Sequence, residues 1–439
     1  MFERDLHTMR VPVQQLTIGM YVSDLDRPWL GTPFALQGFE ITSTDEIELV
    51  SDVCEYVYVD VKRSKLNHYQ PDRQIGGNNN TTQNFSKHSI KRSYQTPVIK
   101  YREDQVFVNK YSVEEELENA GKAYHNTRKT VNQIINNFKT GRDINISQAK
   151  EVINKCVESI FNNKDSLLWF TVIKNRDLYT SEHCLNVAIL SIAFGRYLGH
   201  SEETLKTIGL CGLLHDVGKI NIPLEVLNKD GCFSPEEFEI MKMHTTFGRD
   251  YLLKQPNIIA ETIDTAYCHH EKIDGSGYPE GLNGSQIPYY AKLVAITDAY
   301  DAITSERVYQ HVRTTLQAQK ILYEASGNHF DPELVRAFIQ WLGIYPPGSI
   351  VEMSNGEAGI VLSVNPKMKL KPRVLLLVDD QKNSQPQRIV DLYKMDLDRY
   401  GNIYKIKASH PDNTFGIELR KFQQEGMIKQ MQEEPAKQV

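Results

Sequence analysis

Residues 208–220 read IGLCGLLHDVGKI, an apolar run that ends in a histidine, an aspartate and a lysine. Such a run predicts a buried helix, and a charged carboxylate inside it costs free energy unless a partner compensates the charge. A metal ion is one such partner for His215 and Asp216. The alternative is an ordinary helix end, in which Gly218 stops the helix and Lys219 lies near the negative end of its dipole. This segment alone leaves both interpretations open.

Residues 268–279, CHHEKIDGSGYP, contain two adjacent histidines. Side chains at neighbouring helix positions diverge by roughly 100°, so His269 and His270 cannot both face one buried helical surface. Rings that approach metals at two different positions would make use of this divergence. Gly275 and Gly277 would let the following loop adopt positive φ and bring its backbone close to a ligand.

Three more candidate ligands, His183, His244 and Asp298, lie on predicted helices. A single histidine on a partly apolar helix face is usually a satisfied core residue. Asp298 is different, because it interrupts an apolar helix and Asp301 follows one turn later on the same side. One helical segment therefore contains all of the candidate N and O ligands, which are His183, His215, Asp216, His244, His269, His270 and Asp298. Together they favour a site for two metals, with the carboxylate of Asp216 as a bridge.

The order of these motifs resembles the HD-GYP family, a branch of the metal-dependent HD phosphohydrolases. The resemblance covers residues 170–340 and rests on YTSEHCLNV, LLHDVGKINIP, MKMHTTFG, YCHHEKIDGSGYPEGLNGSQIP, AITDAYDAITSERVY and GNHFDP. Residues 16–34, LTIGMYVSDLDRPWLGTPF, also resemble the accessory domain that often precedes HD-GYP domains in bacteria.

The resemblance implies a helical bundle that hydrolyses a cyclic dinucleotide, mainly cyclic di-GMP, to the linear dinucleotide. It also implies that the seven candidates above are the metal ligands. Lys219 matches the family's lysine near the scissile phosphate, and with Asp216 it forms the expected catalytic pair. Tyr278, Gly277 and Arg307 are the expected substrate-binding residues.

The chemistry of the substrate agrees with this implication, because a phosphodiester is anionic and repels hydroxide. Two metals roughly 3.5–4 Å apart polarise the phosphate and acidify a bridging water. A histidine-rich site with a bridging carboxylate and no thiolate favours iron or manganese, with zinc and nickel as alternatives. Family members with a third metal carry a glutamate where this chain has Tyr179, although Asp177 and Glu182 lie nearby. We therefore expect two divalent metal ions, iron or manganese.

Two departures from the family pattern concern the substrate. Val308 stands in place of the usual proline, and Gln310 in place of a basic residue. The loss of a charge that clamps phosphate leaves 3′,3′-cyclic GMP-AMP open as a substrate beside cyclic di-GMP. Two other functions also stay open: an HD-type phosphohydrolase that acts on other nucleotides, and a catalytically silent sensor of cyclic dinucleotides. The GYP segment argues against the first, and the full ligand set with Lys219 argues against the second.

Composition limits the class of protein and its partners. The 439 residues carry a net charge of −6, which disfavours binding to a nucleic-acid polymer or an anionic membrane. The six cysteines include no CxxC pair, as expected for free thiols in a reducing cytoplasm. The sequence shows neither the apolar run of a signal peptide nor a transmembrane segment. We expect a cytoplasmic protein that binds a cyclic dinucleotide, with a homodimer or a diguanylate-cyclase partner left open.

Local patterns predict a mainly α fold, in which a helical part is flanked by a small N-terminal α+β domain and a small C-terminal β-rich extension. The resemblance implies that the helical part is a helical-bundle HD-GYP catalytic domain. Alternation predicts strands in residues 19–29 and 54–64, with a short helix over 43–53 between them. The predicted parts are an accessory domain over 1–62, a flexible linker over 63–111, a catalytic domain over 112–343, an extension over 344–420 and a polar tail over 421–439.

Individual residues mark the ends of several elements. Ser112 before three glutamates predicts a helix start, and Ser234 with Glu237 predicts a capping box with proline at the first helical position. The pair Asn355-Gly356 between two alternating segments predicts a β-hairpin.

Overall fold

The computed structural model describes residues 8–25, 39–60, 64, 109–139, 144–172, 179–229, 231–305, 313–365, 368–419 and 432–433. The chain divides into two units, Met1–Ser89 and Ile90–Val439, and each is described by itself. Most of the predicted linker and of the predicted tail lies outside the described residues. Arg307, with Val308 and Gln310, lies outside them as well.

The N-terminal unit contains an antiparallel sheet and one helix. Its elements are β1 (Thr8–Pro12), β2 (Tyr21–Leu25), β3 (Phe39–Glu40), α1 (Thr44–Val53) and β4 (Tyr56–Asp60). The strands lie in the order β1-β4-β2-β3. Alternation along β4 buries Val57 and Val59 in a core that also contains Val50 of α1. The two predicted strands and the helix between them are confirmed.

The second unit begins with a helical region that carries every candidate ligand. Its helices are α2 (Val113–Lys139), α3 (Ile146–Asn162), α4 (Leu168–Thr171), α5 (Tyr179–Tyr197), α6 (Glu202–Leu214), α7 (Leu224–Leu227), α8 (Pro235–Leu252), α9 (Ala260–Cys268), α10 (Tyr289–Thr304), α11 (Thr315–Glu324) and α12 (Pro332–Leu342). Among the described residues, none of these helices has the length and apolar character that crossing a bilayer requires.

Capping residues explain where two of these helices begin. At the start of α8, Ser234 and Glu237 exchange side-chain and backbone hydrogen bonds, and Pro235 occupies the first helical position. At the start of α2, the backbone amide of Glu115 donates to Oγ of Ser112 at 3.2 Å, and the amide of Ser112 donates to Oε2 of Glu115 at 2.8 Å. Both predicted helix starts are confirmed.

Helices α5, α6 and α10 form the centre of the bundle. They are apolar on nearly all sides, which is typical of helices that other helices surround. Helices α5 and α6 approach closely at Gly212, where a Cβ atom would lie 2.9 Å from Cα of Ala188. This approach brings the first turns of α5, with His183, next to the end of α6, with His215.

The C-terminal part of the second unit is a sheet. Its strands are β5 (Ile350–Met353), β6 (Ala358–Ser363), β7 (Arg373–Val378), β8 (Ser384–Asp391), β9 (Ile406–His410) and β10 (Gln432–Glu433), in the order β10-β8-β7-β6-β5-β9. Strands β5 and β6 form the predicted hairpin, with Gly356 at φ 91° in its turn. Trp169 of α4 donates its indole N–H to the carbonyl of Val361 at 2.9 Å, which joins the sheet to the helices. The predicted fold class is confirmed.

Candidate metal centre

The carboxylate of Asp216 lies between two sets of imidazole nitrogens. Helix α6 ends at Leu214, and His215 and Asp216 follow directly with exposed fractions of 0% and 3%. Oδ2 of Asp216 lies 3.3 Å from Nε2 of His215. Oδ1 lies 3.5 Å from Nε2 of His244 and 3.6 Å from Nε2 of His269. A carboxylate whose two oxygens face different sets of ligands is suited to bridge two cations.

The first group of candidate ligands consists of His183, His215 and Asp298, from α5, the end of α6 and α10. One ligand atom from each lies within 4.8 Å of the others. Oδ1 of Asp298 lies 3.0 Å from Nε2 of His183 and 3.7 Å from Nε2 of His215. Oδ2 of Asp216 faces this group, at 3.8 Å from Nε2 of His183.

The second group consists of Asp216, His244, His269 and His270, whose ligand atoms also lie within 4.8 Å of one another. The expectation that the adjacent rings of His269 and His270 approach different metal positions is not met, because both belong to this group. Helix α9 ends at Cys268, and the helical divergence of neighbouring side chains does not apply beyond its end. The two ring centroids lie 4.1 Å apart.

Backbone carbonyls orient three of these imidazoles. A carbonyl accepts hydrogen bonds only, so a nitrogen Nδ1 that contacts one carries the proton and leaves the lone pair of Nε2 directed at the centre. The pairs are His215 with Gly212 at 2.8 Å, His244 with Met241 at 2.7 Å and His269 with Thr265 at 3.1 Å. The local fold therefore fixes the tautomer that binds a cation.

Two buried atoms of the centre have no hydrogen-bond partner among the described residues: Nε2 of His215 and Oδ1 of Asp216. A buried polar atom without a partner costs about 1–3 kcal/mol. A cation held by the first ligand group would satisfy Nε2 of His215, and a second cation held by the second group would satisfy Oδ1 of Asp216. Imidazoles and carboxylates without a thiolate are also the donor set that divalent iron and manganese accept. The residues present thus fit the metal ions that the sequence implies.

Protonation in the centre follows from burial and from neighbouring charges. Burial lowers the pKa of His244 to about 3, and burial also lowers the pKa of His270. Burial alone would raise the pKa of Asp216, but Lys219 and His215 outweigh it, and the pKa lies well below its ordinary value. Asp216 is therefore ionised while His244 and His270 are neutral, and these are the forms that bind a cation.

For His215, the balance between burial and neighbouring charges is different. Burial lowers the pKa of its imidazole, but the carboxylates of Asp216 and Asp298 outweigh burial and raise the pKa to about 10. A cation at His215 must therefore replace a proton.

Lys219 lies in a 3₁₀ turn, Val217–Asn221, which directly follows the candidate ligands His215 and Asp216. Its Nζ donates to Oδ2 of Asp216 at 2.5 Å. Gly218 does more than stop a helix, because a Cβ atom there would lie 1.9 Å from the carbonyl oxygen of His244. The glycine lets the turn that carries Lys219 approach the backbone of α8 closely.

The loop after His270 contains the GYP motif. Gly275 has the expected positive φ, at 81°, whereas the expectation of positive φ is wrong for Gly277. Gly277 is needed for space, since its Cβ atom would lie 2.3 Å from the amide nitrogen of Lys272. Tyr278 stacks on His270 at 4.9 Å with an angle of 30° between the rings. The tyrosine therefore flanks the second ligand group.

Sequence reasoning missed Glu271, which holds this loop in place. Its buried carboxylate accepts hydrogen bonds from the backbone amides of Glu280 at 2.7 Å and Leu282 at 2.8 Å. The available signal was a carboxylate directly after His269 and His270, at the start of the loop that carries the GYP motif.

Glu182, one of the acidic residues near the usual third-metal position, has a partner from another helix. Oε1 of Glu182 lies 2.8 Å from Nη1 of Arg128 on α2. Asp177 lies outside the described residues, and the side chain of Tyr179 is not described either.

Comparison with known families covers most of the chain. A model of the HD domain matches residues 164–334, and a model of a KOW domain associated with the HD domain matches residues 350–413. A domain of unknown function (DUF3391) matches residues 8–149.

Curated proteins of three bacteria are similar to this chain in sequence. A cyclic di-GMP phosphodiesterase of Thermotoga maritima is 36% identical over 197 residues, which are 43% of this chain and 53% of that protein. A 3′3′-cGAMP-specific phosphodiesterase of Vibrio cholerae is 32% identical over 198 residues, 45% of this chain and 38% of that protein. A cyclic di-GMP phosphodiesterase of Pseudomonas aeruginosa is 31% identical over 386 residues, 87% of this chain and 88% of that protein. Because this last alignment spans nearly all of both proteins, the chain belongs to the HD-GYP family of HD phosphohydrolases.

Proposed function

We propose that this chain is a metal-dependent phosphodiesterase that hydrolyses a 3′–5′ cyclic dinucleotide, cyclic di-GMP above others, to the linear dinucleotide. The observation that carries the proposal is the carboxylate of Asp216, whose oxygens lie 3.3 Å from Nε2 of His215 and 3.5 Å from Nε2 of His244. A pair of cations around such a bridge is an arrangement that enzymes use on phosphodiesters. The relatives named cyclic di-GMP phosphodiesterases support this substrate.

Two divalent metals, iron or manganese, are part of the proposal. Their ligands would be His183, His215, Asp216, His244, His269, His270 and Asp298. When bound, the two metals would supply positive charge to the phosphate and a nucleophile that is usable at neutral pH. We propose two metals rather than three, since Glu182 is paired with Arg128.

Lys219 would act as a fixed positive charge beside the phosphate. Burial lowers the pKa of its ammonium group, but the carboxylates of Asp216 and Asp298 together outweigh burial and hold the pKa above its ordinary value. At this position the ammonium group could stabilise charge on the phosphoryl oxygens or protonate the leaving oxygen.

Tyr278, Gly277 and Arg307 would bind the substrate. Burial raises the pKa of the Tyr278 phenol, which therefore keeps its proton and can donate a hydrogen bond. Gly277 would keep the loop that carries Tyr278 close to Glu271 and Lys272. A guanidinium group such as that of Arg307 suits bidentate binding of phosphate.

The test combines metal analysis with identification of the product. The chain is purified without oxygen, its metals are counted by mass spectrometry, and it is incubated with cyclic di-GMP and with nucleoside triphosphates. We expect about two metals per chain and the linear dinucleotide as product. Hydrolysis of triphosphates alone would indicate a different HD phosphohydrolase. Tight binding of cyclic di-GMP without hydrolysis by the metal-loaded chain would indicate a silent sensor.

A second substrate, 3′,3′-cyclic GMP-AMP, is favoured by one specific observation. The chain has Gln310 where the family usually has a basic residue, and one aligned relative is named as specific for 3′3′-cGAMP. Competition between cyclic di-GMP and cyclic GMP-AMP in one reaction mixture measures the preference directly. A larger kcat/KM for cyclic GMP-AMP would make it the substrate.

The remaining parts of the proposal concern the setting of the enzyme. The domain boundaries expected from the sequence, at residues 62, 111, 343 and 420, stay as proposed. A homodimer or a diguanylate-cyclase partner also remains part of the proposal. A cytoplasmic location is supported by the cysteines of the described residues, which are all free thiols.

A further inference from the structure

An exposed aromatic ring and a lysine lie beside Tyr278, and neither belongs to the proposed site. Phe238, in the first turn of α8, is 44% exposed. Its ring centroid lies 6.0 Å from that of Tyr278, and the rings meet at 85°. Lys242 follows one turn later, with Nζ 5.4 Å from the centroid of Phe238 and 5.9 Å from that of Tyr278. We call Phe238, Lys242 and Tyr278 the aromatic corner.

The aromatic corner adjoins the metal centre. Tyr278 stacks on His270, and the centroid of His270 lies 5.0 Å from that of His244. Phe238 and His244 are six residues apart on α8, which is about 9 Å along a helix axis. A nucleotide whose phosphate occupies the centre would therefore reach the corner with its base.

Packing does not explain why these two residues are there. A phenylalanine gains little stability from a ring that remains nearly half exposed. Nζ of Lys242 lies 2.7 Å from Oε1 of Glu239, whose side chain is 71% exposed. Ion pairs at such exposure contribute roughly 0–1 kcal/mol, so the ammonium group is easily redirected to a ligand.

We propose that the aromatic corner binds a guanine base of the cyclic dinucleotide, an inference that rests on the proposed function. Phe238 stacks on the base, as aromatic side chains do with single-stranded nucleotides. Lys242 donates to the O6 and N7 acceptors of guanine, whereas adenine presents an amino donor in place of O6. The corner thereby favours guanine over adenine at this position.

Four variants test the inference: Phe238→Ala, Phe238→Trp, Lys242→Met and Leu253→Ala. Leu253 is the control, since it is an apolar side chain, 62% exposed, at the opposite end of α8. KM and kcat are measured with cyclic di-GMP, cyclic GMP-AMP and cyclic di-AMP, and the metal content of each variant is determined. Variants are compared at equal metal content.

For Phe238→Ala we expect KM for cyclic di-GMP to rise by about 5- to 150-fold, the range that loss of one stacking contact gives. The change in kcat should be much smaller. Phe238→Trp should restore most of the affinity, because indole also stacks on bases. Lys242→Met should reduce the preference for cyclic di-GMP over cyclic di-AMP by roughly tenfold, within the discrimination that one base contact provides. Leu253→Ala should behave as the wild type.

The possible failures are distinguishable. If the metal-loaded wild type cuts none of the three cyclic dinucleotides, the proposed function fails and the inference falls with it. If the wild type cuts cyclic di-GMP but Phe238→Ala has an unchanged KM, the function stands and the stacking role is overturned. An unchanged substrate preference in Lys242→Met overturns the recognition of guanine.

Discussion

Nδ1 of His183 lies 2.8 Å from Oδ2 of Asp301, and both side chains are buried. The other oriented ligands differ, since His215, His244 and His269 direct Nδ1 to backbone carbonyls. A carboxylate partner makes an imidazole more basic and a stronger ligand. Asp301 is thus a positioning residue that acts through His183, one turn beyond the candidate ligand Asp298.

Asp301→Asn tests this relationship. The amide retains the size of the side chain but not its charge, so the affinity for metal should fall about 10- to 100-fold. Metal retained during dialysis against graded chelator concentrations measures the change. Asp250→Asn is a matched control, because Asp250 is a partly exposed carboxylate paired with Arg249 at 2.8 Å. Equal metal retention in Asp301→Asn and the wild type would contradict the role of Asp301.

Asp216→Ala should abolish both metal retention and hydrolysis of cyclic di-GMP. The reason is that this one carboxylate faces both ligand groups and also neutralises Lys219. Metal analysis and product formation are measured on the same sample, and circular dichroism checks that the helices remain. Asp216→Asn preserves the volume of the side chain. It therefore shows whether a loss of metal and activity comes from the missing charge rather than from a general loss of folding. Full activity in either variant would refute the bridged site.

Lys219→Met should separate the role of the ammonium group from that of the metals. Methionine preserves much of the length of the side chain but removes the charge next to Asp216. Metal content should stay at the wild-type level, and kcat should fall by about 10²- to 10³-fold, the usual effect of losing one group that stabilises developing charge. If turnover is unchanged at equal metal content, Lys219 has no part in the reaction.

Gly218→Ala should destabilise the protein strongly. The new Cβ atom would lie 1.9 Å from the carbonyl oxygen of His244, a backbone atom that cannot move without displacing α8. Overpacking of this kind costs about 1–3 kcal/mol or more. Gly248→Ala is the matched control, since its Cβ atom would meet Gly218 at an ordinary 3.4 Å. Chemical denaturation of both variants gives the comparison, and equal stability of the two would contradict the close approach.

The composition of the site could be predicted from sequence, while its grouping could not. Each candidate ligand is a polar residue that stands in an apolar segment or in a recognisable motif. Asp216, for example, follows the apolar run of residues 208–214, and a local reading of the sequence is enough to find it. The convergence of His269 and His270 depends on where α9 ends, which packing decides. The pairing of Glu182 with Arg128 likewise joins two helices that are distant in sequence. The sequence predicts that Gly277 has a special role. The reason glycine is required there is the close approach of the Lys272 backbone, which a sequence does not reveal.

Glu357, in the C-terminal sheet, should make stability depend on acid pH. Its buried carboxylate accepts hydrogen bonds from Tyr404 at 2.7 Å, Asn355 at 2.8 Å and Arg388 at 2.8 Å. Burial would raise its pKa, but these three partners outweigh burial, and the pKa lies below its ordinary value. A folded-state pKa below the unfolded value means that the contribution to stability is complete above the unfolded pKa, about 4.3, and is lost as pH falls through the folded pKa.

Glu357→Gln tests this sign. At pH 7 the variant should be less stable by roughly 3 kcal/mol, since the neutral amide cannot form the buried ion pair that Glu357 makes with Arg388. Below about pH 4 the difference should shrink, because the wild-type carboxylate is then protonated as well. Thermal unfolding of both proteins between neutral and acid pH gives the two curves. Glu333→Gln, which removes a largely exposed carboxylate beside Arg336, serves as the control and should follow the wild type. Parallel curves for Glu357→Gln and the wild type would mean that the carboxylate of Glu357 does not titrate with a depressed pKa in the folded protein.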